Sequence, residues 1–328
     1  MDAIYIVSTV LLPFLSFFLV YLLMPPLIKF LKSKGKVGKD IHKQNQPEIT
    51  DMGGISILIT LTIVILMLYF LLHLNYYLVI FISGLITGII GLLDDLYNLG
   101  GKLKPALTLL GGAPILITLS YNPHPALPFL PSTSLIILYP ILVPIGIAIT
   151  SNAVNMLDVI NGATPLLTMP IFTSLIIVSL IENKYNAIPI LVVILASLLA
   201  FYFYNKYPAK TFMGNIGDFF IGGLLGAIAI VFRFETVVLV AMLPYIMHGF
   251  YVLSSVGRLF ERREIKNKPV ILKDGLLYPS DDPKAPITLM RLILSAGPLQ
   301  EKEVAKVFFF MSCISSILAI ITSFLTKI

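Results

Sequence analysis

Long apolar runs restrict this chain to one kind of fold before any motif is considered. Ten of them, at about 3 to 24, 53 to 73, 77 to 93, 104 to 120, 133 to 153, 163 to 181, 187 to 205, 216 to 232, 236 to 257 and 305 to 326, approach the roughly 20 residues that a helix needs to cross the hydrocarbon of a bilayer. Backbone polar groups in lipid must be satisfied within a helix or around a closed barrel, and these runs lack the alternation of barrel strands. The expected fold is therefore all-α: a polytopic integral membrane protein of about ten transmembrane helices, forming a single domain over residues 1 to 328. Composition agrees, because 57% hydrophobic and 12% charged residues with a mean hydropathy of +0.94 leave too little polar surface for a soluble globule.

Basic residues are retained on the cytoplasmic side of a membrane, which orients the runs. With the loop after the first run placed inside, all of the 23 Lys and Arg residues except Lys184, Arg233 and Lys327 fall on the inner side. Both termini are then expected outside. Of the 17 Asp and Glu residues, only Asp2, Glu182 and Glu235 fall outside. Carboxylates contribute little to orientation, so their gathering on the same face points to an active site there. The net charge of +6 suits a surface that meets anionic lipid and an anionic substrate. The N-terminus opens on Asp2 and stays apolar to about Leu23, which reads as a retained first helix and not a cleaved signal. Cys313 is the one cysteine, so no disulfide or cysteine metal site forms within the chain.

Five inner stretches hold the informative polar residues. The first, GKDIHKQNQPEITDMGG, carries Asp40 and Asp51, and its Gly53-Gly54 pair permits close backbone approach to a ligand; it also reads as a capped helix start. The second, GLLDDLYNLGGKLKP, sets Asp94 and Asp95 at the end of an apolar run. Two like charges at a membrane boundary are costly unless a cation or a basic group compensates them. A helix continuing past the pair puts Asn98 on their face, and Lys104 offers a point charge for a phosphate; the bland reading is a capped helix end with a surface ion pair.

In the third stretch, Asn152, Asn155, Asp158 and Asn161 recur every three residues, so a helical or 3₁₀ turn aligns them along one edge. A structural asparagine ladder between helices is the alternative. The fourth, TFMGNIGDFFIGG, offers Asn215 and Asp218, oxygen ligands suited to a hard ion such as Mg²⁺, while Gly222, Gly223 and Gly226 read as helix-packing contacts. The fifth, residues 258 to 304, combines a basic cluster with the short apolar stretch APITLMRLILSAG, expected to lie in the membrane interface.

Taken together, GKDIHK with ITDMGG, GLLDDLYNLGGKLKP, NAVNMLDVING, TFMGN and ITLMRLILSAGPLQEKE, in that order, resemble the polyprenyl-phosphate N-acetylhexosamine-1-phosphate transferases, most closely the eukaryotic and archaeal branch that makes dolichyl-diphospho-N-acetylglucosamine. The resemblance covers nearly the whole chain. It implies a single transmembrane catalytic domain in which a polyprenyl phosphate attacks the β-phosphate of a UDP-sugar in line and UMP leaves, as in glycan assembly for N-glycosylation. It implies that Asp94 and Asp95 flank the reacting phosphates, with Asn98 in support, and that Lys104 holds the diphosphate. It implies that Asn155 is a Mg²⁺ ligand, that Asp51 and Asn161 contact the uridine, that Phe212 lines its base, and that Arg262 and Arg263 cover the sugar.

Two departures stand out. Asn215 occupies the place where the family carries a metal-binding Asp, so beside Asn155 either Asn215 serves as a ligand with reduced charge or Asp218 takes over, with Asp158 as a further acidic group that can compensate. The family's histidine motif for sugar recognition is absent, since the histidines are His42, His73, His124 and His248. A phosphate monoester is largely ionised near pH 7, so Asp94 or Asp95 acts by positioning, by accepting a residual proton, or as a covalent nucleophile. The expected cofactor is Mg²⁺, with Mn²⁺ as the alternative ion. The expected partners are a UDP-sugar, a polyprenyl or dolichyl phosphate and the bilayer, with no nucleic acid and with a homodimer left open. The expected location is the cell membrane with the site facing the cytoplasm, or the endoplasmic reticulum if the source is eukaryotic. A secondary transporter of nucleotide sugars or cations is the rival class; it needs ionisable groups near the midplane, where His248 is the main polar candidate.

Overall fold

The computed structural model describes residues 3–126, 134–257 and 267–325. Among these, eight helices are long and apolar enough to cross a membrane: α1 (Ala3–Ser33), α2 (Ile55–Leu72), α3 (Tyr76–Tyr97), α5 (Tyr139–Leu157), α6 (Ala163–Ile181), α7 (Tyr185–Asn205), α8 (Gly214–Val231) and α12 (Glu301–Leu325). Two further apolar helices, α9 (Glu235–Ala241) and α10 (Leu243–Val256), meet at 67° where Pro244 enters the first turn of α10. The run expected over 104 to 120 is the shorter α4 (Leu103–Ile117), tightened by a 3₁₀ turn at Leu109–Gly112. The chain is thus mostly helical, and among the described residues eight helices are of spanning length, or nine if the bent pair is one span, with α4 as a shorter apolar helix.

Helix α8 is the centre of the bundle: 83% of its span is buried, against 22% for α1. Lipid is as apolar as Leu, so burial here rests on close packing more than on the hydrophobic effect. The α8 glycines supply that closeness. A Cβ on Gly222 would stand 2.6 Å from Cα of Ser151 in α5, and one on Gly223 would stand 2.0 Å from Oγ1 of Thr87 in α3. Thr87 in turn donates to the Phe219 carbonyl of α8 at 2.8 Å.

Two small antiparallel hairpins interrupt the helical pattern. Strands β1 (Val37–Lys39) and β2 (Glu48–Thr50) pair with Gly38 opposite Ile49, and Thr211 bridges Thr50 in parallel. Strands β3 (Val270–Lys273) and β4 (Leu276–Pro279) turn through Asp274 and Gly275, both at positive φ, as a tight hairpin requires. The apolar stretch that follows forms the one-and-a-half-turn helix α11 (Leu289–Leu294).

Candidate active site

Asp94 and Asp95 end α3 and face different partners. Both carboxylate oxygens of Asp95 accept backbone N–H groups from the start of α8, Asn215 at 3.0 Å and Ile216 at 2.9 Å. An acidic group satisfies the orphan donors of a helix N-terminus and favours its dipole. Asp94, 2% exposed, is held by side chains: Lys104 Nζ and Asn215 Nδ2 each lie 2.6 Å from its Oδ2, while the Leu99 N–H donates to Oδ1 at 2.7 Å. The charge problem posed by two adjacent carboxylates is resolved by one helix end and one ammonium. Asn98 does not continue the helix; it is the C-cap, left-handed at φ 54°, and lines the cavity described below.

From Asp94 the polar contacts run on through α8 and α5. Asn155 Nδ2 donates to Asn215 Oδ1 at 2.5 Å and to Asp218 Oδ2 at 3.3 Å. The other Asp218 oxygen accepts from Thr164 Oγ1 at 2.6 Å. Asp158 accepts the Thr164 N–H at 3.3 Å, in the first turn of α6. The expected edge of four residues does not form, because α5 ends at Leu157 and Gly162 turns the chain at φ 81°. Asn152 instead donates to Thr108 at 2.8 Å, and Asn161 turns away towards Glu301 at 2.5 Å.

Asp51 follows β2 and accepts the Met52 N–H at 2.7 Å. Phe212 sits beside it because its N–H bonds the Thr50 carbonyl at 2.8 Å, which lays the ring against Gly38. At the Gly53-Gly54 pair the backbone approaches α8 closely: a Cβ on Gly54 would stand 2.4 Å from Cα of Gly217. Arg262 and Arg263 lie outside the described residues.

Asp51, Asp94, Asp95, Asn155, Asn215 and Asp218 all line one cavity of about 1660 Å³. From this polar end it follows α5 past Val143 and Ile149 and the bent α9–α10 pair past Leu239 and Phe250, as far as Tyr139 and Glu235. Asn155 and Tyr139 are separated by ~24 Å of helical rise, so the apolar part is nearly as long as a bilayer core is thick. Tyr139 donates a hydrogen bond to Glu235 at the far end.

The donor set suits a hard cation. Among the described residues no group of three or more His, Cys, Asp or Glu is arranged to hold a metal, so an ion here would draw on Asp218 with the amides of Asn155 and Asn215. Mg²⁺ accepts such mixed shells. Sequence reasoning missed Thr164, which bears no motif, and the polar cluster around Glu301.

Comparison with known proteins decides what this arrangement belongs to. The family model described as glycosyl transferase family 4 matches residues 77–233. A protein of Saccharolobus solfataricus bearing the name UDP-N-acetylglucosamine–dolichyl-phosphate N-acetylglucosaminephosphotransferase is 30% identical over 321 residues, covering 96% of this chain and 97% of its own. The chain belongs to glycosyl transferase family 4. A second family member of the same name, from Sulfolobus acidocaldarius, is 29% identical over 303 residues, with 90% of each chain covered. The phospho-N-acetylmuramoyl-pentapeptide-transferase of Petrotoga mobilis is 31% identical over 270 residues, covering 76% of this chain and 83% of its own. The resemblance read from the motifs is thereby confirmed, and the matched segment of this family 4 chain includes the Asp94–Lys104, Asn155 and Asn215–Asp218 contacts.

Proposed function

We propose that the chain transfers N-acetylglucosamine-1-phosphate from UDP-N-acetylglucosamine to a polyprenyl phosphate of the dolichyl type. One observation carries the reading: a half-buried chain of contacts from Lys104 through Asp94, Asn215 and Asn155 to Asp218 opens directly into an apolar groove nearly as long as a bilayer core is thick. A diphosphate suits the first and an isoprenoid tail the second. The names of the two archaeal relatives point to the same substrates.

An oxygen of the lipid phosphate attacks the β-phosphorus, the bond to the bridging oxygen breaks, and UMP leaves with that oxygen. Lys104, fixed by Asp94, meets the diphosphate as a point charge. Asp94 is already fixed by Lys104, the Asn215 amide and the Leu99 N–H, which supports a positioning role. Asp95 sets the distance between α3 and α8. Asn98 supports this end, while Asp51, Phe212 and Asn161 border the uridine, Asp158 is a further acidic contact, and Arg262 and Arg263 cover the sugar. Asn155, Asn215 and Asp218 would hold Mg²⁺, or Mn²⁺ in its place, which supplies neutralising charge to the phosphate oxygens when bound.

The polar end faces the cytoplasm in this reading, and the chain makes ten passes as one catalytic domain, with both termini outside. The short α4 serves as a pass because it starts beside Asp94, while the segment after it stacks Tyr121 on Tyr139 at the opposite end, 5.6 Å between ring centroids. Transport is disfavoured by membership in a transferase family. Purified protein with a panel of UDP-sugars tests the reading: UMP release that needs lipid phosphate and stops with EDTA supports it, and vesicle uptake without cleavage would replace it by transport.

A further inference from the structure

The amide of Asn161 is engaged on every side by the protein. Its Nδ2 donates to Glu301 Oε1 at 2.5 Å and to Asp40 Oδ2 at 3.2 Å. Its Oδ1 accepts the Ala209 N–H at 2.7 Å and Lys43 Nζ at 3.4 Å. Glu301 Oε1 also takes the Asn161 backbone N–H at 2.8 Å. An asparagine amide has two hydrogens and two lone pairs, so this group is saturated and its orientation is dictated.

The ions around it come from separate parts of the chain. Lys43 pairs with Asp40, lies 3.6 Å from Glu301 Oε2, and stands 4.8 Å from the centroid of the Tyr207 ring. Asp40, Asn161 and Glu301 are each 3% exposed. His42 adds a contact at 3.1 Å to the Val159 carbonyl. The cluster therefore binds the β1–β2 connection, the loop between α5 and α6, the segment before Phe212 and the first turn of α12. Buried charges retained in such a set cost desolvation, and nothing in membrane spanning requires them. Three of the four segments also border the polar end of the cavity, through Asp40, Asn161 and Phe212.

We propose that Glu301 and Asp40 are positioning residues which, through the Asn161 amide, assemble the nucleotide side of the cavity and so set affinity for the UDP-sugar without setting the turnover of bound substrate. This rests on the reading that the uridine lies at this end. Asp94, Asn215 and Asp218 stand outside the cluster, which separates binding of the nucleotide from the reacting phosphates.

The test uses full-length protein in detergent with Glu301→Ala, Glu301→Gln, Asp40→Ala and Asn161→Ala, and measures KM for UDP-N-acetylglucosamine, KM for polyprenyl phosphate, kcat and inhibition by UMP. Glu301→Ala is expected to raise the nucleotide KM and the UMP inhibition constant roughly tenfold, the scale of a buried polar group left unpaired, with the lipid KM and kcat within about twofold. Glu301→Gln keeps an acceptor for both Asn161 donors and is expected to recover most of the loss. Asp40→Ala, which removes one acceptor from another segment, shifts the same constants less and decides the matter should Glu301→Ala fail to fold. An unchanged nucleotide KM in folded Glu301→Ala or Asp40→Ala, while Asn161→Ala weakens it, overturns the positioning role and leaves the uridine reading intact. If all these variants leave nucleotide constants alone and shift the lipid KM, the uridine reading itself falls.

Discussion

Asp95 and Asn215 are 120 residues apart in the chain, yet the Asp95 carboxylate receives the Asn215 backbone N–H at 3.0 Å and the next N–H at 2.9 Å. Its neighbour Asp94 receives the side chain of the same asparagine at 2.6 Å. One residue on α8 is thus gripped by two consecutive carboxylates of α3, one through the backbone and one through the amide.

That division separates two substitutions. Asp95→Asn leaves one acceptor oxygen for two backbone donors and removes the charge at the helix start, so it is expected to cost about 1–2 kcal/mol of stability together with turnover. Asp94→Asn is expected to lower UMP release by about 100-fold or more with a smaller fall in melting temperature. Thermal unfolding measured beside activity checks the pair; near-normal release in either variant removes that residue from the mechanism.

Lys104→Met takes away the only ammonium that the site holds against Asp94 among the described residues. The expected loss is about 100-fold in kcat/KM for the UDP-sugar, with partial recovery in Lys104→Arg. Steady-state kinetics at saturating lipid phosphate provide the measurement.

Asn215→Asp replaces the 2.6 Å hydrogen bond to Asp94 by two carboxylates in contact. Like charges at that distance favour a bound cation. The variant is expected to melt lower than the parent in EDTA and to gain more from added Mg²⁺, whereas Asp218→Asn gains less than the parent. Melting temperature against Mg²⁺ concentration, without substrate, reads this directly; equal Mg²⁺ responses in all three proteins would remove both residues from the metal set.

Gly223→Val drives a branched side chain into Thr87, whose Oγ1 would lie 2.0 Å from the new Cβ. Overpacking of this kind costs about 1–3 kcal/mol. A lower melting temperature with unchanged KM for the molecules that remain folded is the expected result.

The apolar runs were legible because each helix satisfies its own backbone and each run reports its own transfer into lipid. The β3–β4 hairpin was missed by the all-α reading, although its Asp274-Gly275 pair favours a tight two-residue turn. Periodicity misled where it assumed that helices continue: Asn98 leaves α3 at φ 54° and Gly162 turns the loop before α6 at φ 81°, so neither Asn98 nor the run from Asn152 to Asn161 keeps the helical face that spacing suggests. Glu301 had no sign at all, since its partner Asn161 lies 140 residues away.

The chain alone determined that this is a membrane-spanning helical protein, which stretches bear its polar chemistry, and which family it resembles. Those properties depend on neighbouring residues and on their solvent. Which carboxylate caps a helix and which holds the lysine, which amide meets Asp218, and which is locked away by Glu301 were decided by tertiary packing. The energy of each such contact belongs to two distant segments at once, and neither segment encodes it by itself.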